Sequence, residues 1–247
     1  GCYGAVAICS HDPAVFLTPD ISPSFKVKKL YKPTSKRSFG LPAPILDYKS
    51  YAPHLKLEKY TFLDRQYVFV PTSIEYDRKK INWVVDWLAR HRDCEVNFVF
   101  MGWGRDSESA KQALMNSANV IFLNEFVSTP LIYFFMAKSL AIIDSFGEPG
   151  YGTAVIEASA LGVPVVGRVD LSEYGDQAVY QDMQSPPIFN CETVEDVNIA
   201  LNHICYDFYD RQVHSEAHFD WYTDSHSTSA ITKDWIPVLV NKTAANC

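Results

Sequence analysis

Residues Asp144 to Gly167 read DSFGEPGYGTAVIEASALGVPVVG, and this stretch decides how the chain is organised. An acidic residue, Glu148, precedes the flexible turn Gly150-Tyr151-Gly152, and an Ala-rich helical segment carrying Glu157 starts at Thr153. A tight Gly162-Val163-Pro164 connection then leads into an apolar run ending at Gly167. With the apolar run Leu140 to Ile143 in front of it, this is a strand, turn, helix and strand, the repeating unit of a parallel sheet.

The pattern extends outward from there. Short apolar strands are expected at Tyr67 to Pro71, Val96 to Met101, Val120 to Leu123, Leu140 to Ile143 and Val163 to Gly167. Their continuous, mostly β-branched or aromatic character is that of strands covered on both faces. Ile81, Val84, Val85 and Leu88 fall at i, i+3, i+4 and i+7, one face of a helix. Further helices are expected at Ser107 to Asn116, Pro130 to Ser139, Thr153 to Leu161 and Val194 to Tyr209. Strands alternating with helices make an α/β, Rossmann-like, doubly wound parallel sheet.

The flanks read differently. Pro13, Pro19, Pro23, Pro33, Pro42, Pro44 and Pro53 oppose long regular elements, because proline fixes φ and removes an amide donor. Residues 1–65 therefore read as a Pro-rich appendage and linker with two strands, Ala5 to Cys9 and Lys26 to Tyr31. Residues 66–222 form the sheet domain, and 223–247 a helical extension. The aromatic- and His-rich segment from His214 has weak periodicity and is expected to pack a helix back across the sheet or onto the appendage.

The chain has 247 residues, 47% hydrophobic and 21% charged, with a net charge of −7. That acidity opposes an extended nucleic-acid footprint, which needs a basic face. Six cysteines without CxxC or metal-finger spacing suit a reduced, cytoplasmic protein. No signal peptide is read at the N-terminus, and the apolar region Thr129 to Phe146 is interrupted by Lys138, Ser139 and Asp144. A spanning helix needs about 20 apolar residues, so a buried helix and strand fit that region better. His214 and His218 stand at i, i+4 without a third ligand nearby, and no metal site is expected.

Ligands of open α/β sheets bind beyond the carboxyl ends of the strands. The amides of Gly152, Thr153, Ala154 and Val155 are expected to face outward at such a place, ready for phosphate oxygens. Glu157 can accept hydrogen bonds from a ribose diol, and Glu148 can hold sugar hydroxyls. A solvated loop charge at Glu148 and an ordinary near-N-terminal glutamate at Glu157 account for the same residues equally well. Arg78-Lys79-Lys80 are placed at the entrance to a helix, where cations face its positive end, which suggests a shared anion. A solvated basic turn is the alternative. Gly102-Trp103-Gly104-Arg105 closes the second strand, but Ser107 stands where a dinucleotide fingerprint has its third glycine. Tight turning alone explains Gly102.

Taken together, Tyr67 to Trp221 resembles the C-terminal, donor-binding domain of glycosyltransferase family 4, retaining enzymes of the GT-B fold. The resemblance rests on Val68 to Lys79, the Gly102 to Gly104 loop, Phe122-Leu123-Asn124, Ser145 to Glu148 with Gly150-Tyr151-Gly152, Glu157, and Ala160 to Val165. There are two departures in the motifs. Eight residues, not seven, separate Glu148 from Glu157, as if Pro149 were inserted, and Pro71-Thr72-Ser73 lacks the family's arginine. The third departure is length, since the family's acceptor domain is largely missing from the first 65 residues.

The resemblance implies metal-independent transfer of a sugar from a UDP- or GDP-sugar to a glycan, lipid or protein acceptor, with retention. It implies Glu148 and Lys79 as catalytic residues. Arg78, Lys79, Gly102, Gly104, Gly150, Tyr151, Gly152, Thr153, Ala154 and Glu157 would line the nucleotide sugar. A cytoplasmic protein, peripheral to a membrane for some acceptors, is expected. The alternatives are a non-catalytic nucleotide-sugar-binding subunit needing an acceptor-domain partner, and a sugar-nucleotide epimerase.

Overall fold

The structure, a computed structural model, describes residues 57–124, 127–148, 150–171, 185–206, 211–227 and 229–230. The expected strands Ala5 to Cys9 and Lys26 to Tyr31, and most of the 223–247 extension, lie outside the described residues.

Six strands form one sheet: β1 (Tyr67–Val70), β2 (Asn97–Phe100), β3 (Val120–Phe122), β4 (Ile142–Ile143), β5 (Val165–Gly167) and β6 (Phe189–Asn190). Their order is β3-β2-β1-β4-β5-β6, and every pairing is parallel. This is the doubly wound sheet that the sequence predicts, with the order reversing between β1 and β4. The five expected strands are all present, with trimmed ends. Proline at position 71 has no amide to continue β1. The ladder around β4 is longer than its two residues, running from Leu140 N donating to Tyr67 O at 2.8 Å to Asp144 N donating to Val166 O at 3.0 Å. β6 was not expected, because two edge residues behind Pro186 and Pro187 carry no periodic signal.

Seven α-helices accompany the sheet among the described residues: α1 (Tyr76–Lys79), α2 (Asn82–Arg90), α3 (Ser107–Ala113), α4 (Thr129–Lys138), α5 (Thr153–Ala160), α6 (Val194–Tyr206) and α7 (Arg211–Ser225). Side chains alternate across each strand, so the sheet separates two cores. Val68, Val70, Phe98, Phe100, Ile143 and Val166 face α2, α3 and α6. On the other side Tyr67, Phe69, Val99, Ile142 and Val165 face α4, α5 and Trp221 of α7. Here Phe135 is wedged edge-on against Tyr60, Phe62 and Phe69, and the buried Tyr67 hydroxyl donates to Phe135 O at 2.8 Å. Across the opposite layer Trp87 Nε1 donates to Asn202 Oδ1 at 3.2 Å, tying α2 to α6.

The weakly periodic C-terminal segment forms α7, which packs on the helix layer and not directly across the sheet. It docks on α5 through aromatic and polar anchors in place of an apolar stripe. His218 Nδ1 lies 3.0 Å from Ser159 Oγ, His226 Nε2 lies 3.3 Å from the Tyr151 hydroxyl, and Trp221 packs edge-on to the Tyr151 ring. Burial pushes both histidines down from 6.5 to about 4, with His214 adding to the effect at His218.

The unfolded chain takes up these protons near pH 6.5 and the fold only near pH 4, so stability is lost as pH falls through that window. Each histidine contributes up to about 1.4 kcal/mol per pH unit. Urea unfolding at pH 7 and pH 5 should show a lower midpoint in acid, and His226→Phe, which keeps a ring against Trp221, should shrink the difference. Equal sensitivity in the variant would mean that His226 does not carry the effect.

Candidate functional site

The site lies at the carboxyl ends of β1 and β4, where two loops are pinned together by their backbones. Phe146 N donates to Lys79 O at 3.0 Å. Gly147 sits so close to the Arg78 carbonyl that any Cβ there would overlap the oxygen. The loop after β2 braces the other side: Ile74 N donates to Trp103 O at 2.8 Å and Asp106 N to Ile74 O at 3.0 Å. Gly104, at φ +120°, permits that approach, since a Cβ would come within 2.5 Å of Ile74 N. Gly102 is also left-handed, and its carbonyl accepts from Ser107 Oγ at 2.7 Å. Asp106 caps α1 by accepting from Tyr76 N at 2.8 Å. Both glycines thus shape the loop beside the site.

Arg78 and Lys79 are not at a helix N-terminus, as the sequence suggested. They occupy the last turn of the four-residue helix α1, which ends at left-handed Lys80 (φ 55°). Cations are favoured there, so their presence alone does not call for an anion. Their partners are more informative. Arg78 holds Glu75 with two bonds, Nε to Oε2 at 2.8 Å and NH2 to Oε1 at 3.0 Å, and donates from NH1 to Glu148 Oε1 at 2.9 Å. Lys79 Nζ lies 3.5 Å from Glu148 Oε2. The Arg78 bonds, helped by Ser73, hold the Glu75 carboxyl at about 2 against an ordinary 4.5. The structure therefore brings Arg78, Lys79 and Glu148 together, with Lys80 outside the ion pairs described.

Asp144, which the sequence reading left unassigned, is buried at the end of β4 beside this cluster. Burial pushes its carboxyl up, while Lys79 and hydrogen bonds from the Gly152 and Ser145 amides favour the charged form. Two of the four amides expected to be open are thereby committed: Gly152 N to Asp144, and Val155 N to Gly152 O at 3.1 Å. The start of α5 already carries a resident carboxylate. Ser145 contributes a buried hydroxyl with no hydrogen-bond partner among the described residues.

Glu157, on α5, accepts from the Tyr133 hydroxyl of α4 at 2.8 Å. Burial raises the Glu157 carboxyl and the Tyr133 phenol alike, so each is held in an environment that penalises charge. The Tyr151 ring is buried against Trp221 and His226 and is not presented at the mouth of the site. Glu75, Asp144 and Tyr133 are the residues that sequence reasoning missed. For Asp144 a signal existed, a carboxylate directly ending an apolar strand.

Among the described residues no group of three His, Cys, Asp or Glu is arranged to hold a metal ion, and no helix is long and apolar enough to cross a membrane. A groove of about 680 Å³ between the end of α5 and α7, lined by Leu161, Gly162, Phe219 and Asp220, lies at the opposite end of α5 from this cluster.

A family model described as Glycosyl transferases group 1 matches residues 65–180. No curated protein matches the sequence at a significant level. Among solved structures, an α,α-trehalose-phosphate synthase (UDP-forming) from Burkholderia vietnamiensis superposes with a TM-score of 0.61 at 14% identity, over 84% of this chain and 52% of that one. The C-terminal domain of a glycosyl transferase group 1 family protein (LpcC) from Francisella tularensis gives 0.53 at 11% identity, over 76% of this chain and 96% of that domain. Anabaena Alr3699/HepE in complex with UDP-glucose gives 0.54 at 16% identity, over 81% and 57%. The chain spans about half the length of the synthase and of HepE. The fold is the Rossmann-like domain type of GT-B glycosyltransferases.

Gly147→Ala should force the two pinned loops apart, at an overpacking cost of about 1 to 3 kcal/mol. Denaturant unfolding reads that loss directly, and a variant as stable as the parent would show that the β1 and β4 loops are not held in register by this contact.

Proposed function

We propose that the domain binds a nucleotide diphosphate sugar and transfers the sugar to an acceptor with retention, as a metal-independent glycosyltransferase or the donor-binding portion of one. The observation that carries the reading is the meeting of Arg78, Lys79 and Glu148 at the β1–β4 switch point, with Glu157 on the adjoining helix. The group 1 family match over residues 65–180 supports it, as does the fold shared with HepE, which binds UDP-glucose.

In this reading Lys79 and Arg78 hold the diphosphate and Glu157 takes the ribose hydroxyls, with Tyr133 fixing its carboxylate. Glu148 holds the donor sugar. Negative charge gathers on the departing nucleoside diphosphate as the glycosidic bond breaks, and preorganised cations and amides stabilise it without reorganising. The two cations supply the neutralisation that a divalent ion gives elsewhere. The acceptor site belongs to another domain or a partner, and the acceptor is a glycan, lipid or protein hydroxyl. Residues 66–222 form the donor unit in this arrangement, and we place it in the cytoplasm, peripheral to a membrane where the acceptor is a lipid.

A thermal-shift panel of UDP, GDP and their sugars tests the reading. Ligand at 100 times its Kd adds about 2.7 kcal/mol, a rise in Tm of about 5 to 10 °C for a domain of this size. Glu157→Gln, which leaves an acceptor for Tyr133, and Lys79→Ala should each weaken binding about tenfold or more, as expected for charged hydrogen bonds. Full shifts in both variants would sink the site assignment. Loss of transfer with EDTA, restored by manganese, would sink metal independence.

A further inference from the structure

The cations proposed for the diphosphate are already facing carboxylates. Within this cluster three carboxylates, Glu75, Asp144 and Glu148, surround the charges of Arg78 and Lys79. The three differ in how firmly they are held. Glu75 takes two hydrogen bonds from Arg78 and one from the buried Ser73 hydroxyl, at 2.7 Å. Asp144 is buried and bonded to two backbone amides. Glu148 has neither support, its side chain is 40% exposed, and its contacts are one hydrogen bond and one looser 3.5 Å approach.

A carboxylate and a phosphate present the same pair of oxygens to a guanidinium edge. Building on the donor-binding reading, we infer that Glu148 is an internal competitor for the diphosphate: the incoming phosphates take Arg78 NH1 and Lys79 Nζ, and the displaced Glu148 carboxylate turns to the hydroxyls of the donor sugar. The exchange is confined to side chains. Phe146 N on Lys79 O and Gly147 on the Arg78 carbonyl hold the backbone beside it, while Glu75 keeps the other edge of the guanidinium fixed. Diphosphate binding and sugar recognition are therefore coupled. A free sugar, which offers nothing to Arg78 and Lys79, cannot release Glu148.

Calorimetric titration of inorganic pyrophosphate and of UDP into the parent, Glu148→Asp and Glu148→Gln chains tests this, with ligand-free melting temperatures to confirm folding. Glu148→Asp keeps the charge but is one methylene short of bridging both cations. It should bind pyrophosphate about twofold to fivefold more tightly than the parent, the worth of an exposed ion pair, and Glu148→Gln at least as tightly. Unchanged or weaker binding by Glu148→Asp overturns the exchange even if Glu148→Gln binds better, since that would report net charge and not the contact. If folded parent and variants alike bind neither pyrophosphate nor UDP, the donor-binding reading itself fails, and the exchange with it.

Discussion

One backbone hydrogen bond, Phe146 N to Lys79 O, spans the point where the strand order reverses between β1 and β4. At this reversal the connections leave the sheet in opposite directions and open a crevice, which is why ligands of such sheets collect there. Here the crevice is crossed by a direct contact, tightened by Gly147 lying on the Arg78 carbonyl. Arg78, Lys79, Glu75, Asp144 and Glu148 all hang from one of the two segments so joined, with Glu157 on the helix that follows. The geometry of Arg78 and Lys79 relative to Glu148 is thus a property of the backbone and not of flexible side chains alone.

Support for that contact comes from both faces of the sheet. The loop after β2 fills the space behind Ile74, which only a left-handed Gly104 allows. On the other face α7 fixes the turn before α5 by enclosing the Tyr151 ring between Trp221 and His226. The ring of Tyr151, which the motif suggested as a ligand contact, is the point where the C-terminal segment grips the turn. Glu157 is steadied in the same indirect way, through Tyr133 on α4.

The strands and most helices were legible in the sequence because doubly covered strands and one-faced helices leave periodic apolar patterns. Glu148, Glu157 and Lys79 were legible because a spaced motif names them. Tyr133 was not, since only the fold brings it to Glu157, 24 positions away, and the meeting of Arg78 with Glu148 across 70 positions was hidden for the same reason. Glu75 and Asp144 have local partners but belong to no spaced motif. The misplacement of Arg78 and Lys79 has a simpler cause. A four-residue helix ending in left-handed Lys80 leaves no apolar period, so in sequence the last turn of α1 is indistinguishable from the start of α2. The docking of α7 was only dimly visible because histidines and a tryptophan do what a stripe of leucines does elsewhere.

The buried carboxylate of Asp144 changes how this crevice can hold an anion. A helix N-terminus ordinarily offers open amides and a positive dipole end, worth about 0.3 to 1 kcal/mol per exposed charge. At α5 the Gly152 amide is already bonded to the Asp144 side chain, whose carboxyl is pushed up by burial. Affinity for a polyanion must then come mainly from Arg78 and Lys79. Adjacent cations would repel one another if left bare, and the surrounding carboxylates remove that strain at the expense of occupying the cations. In the proposed reading such a site is stable by itself and binds by substitution. Its selectivity follows from the same fact, because only a ligand with at least two anionic oxygens suitably spaced replaces what Glu148 supplies to both cations at once.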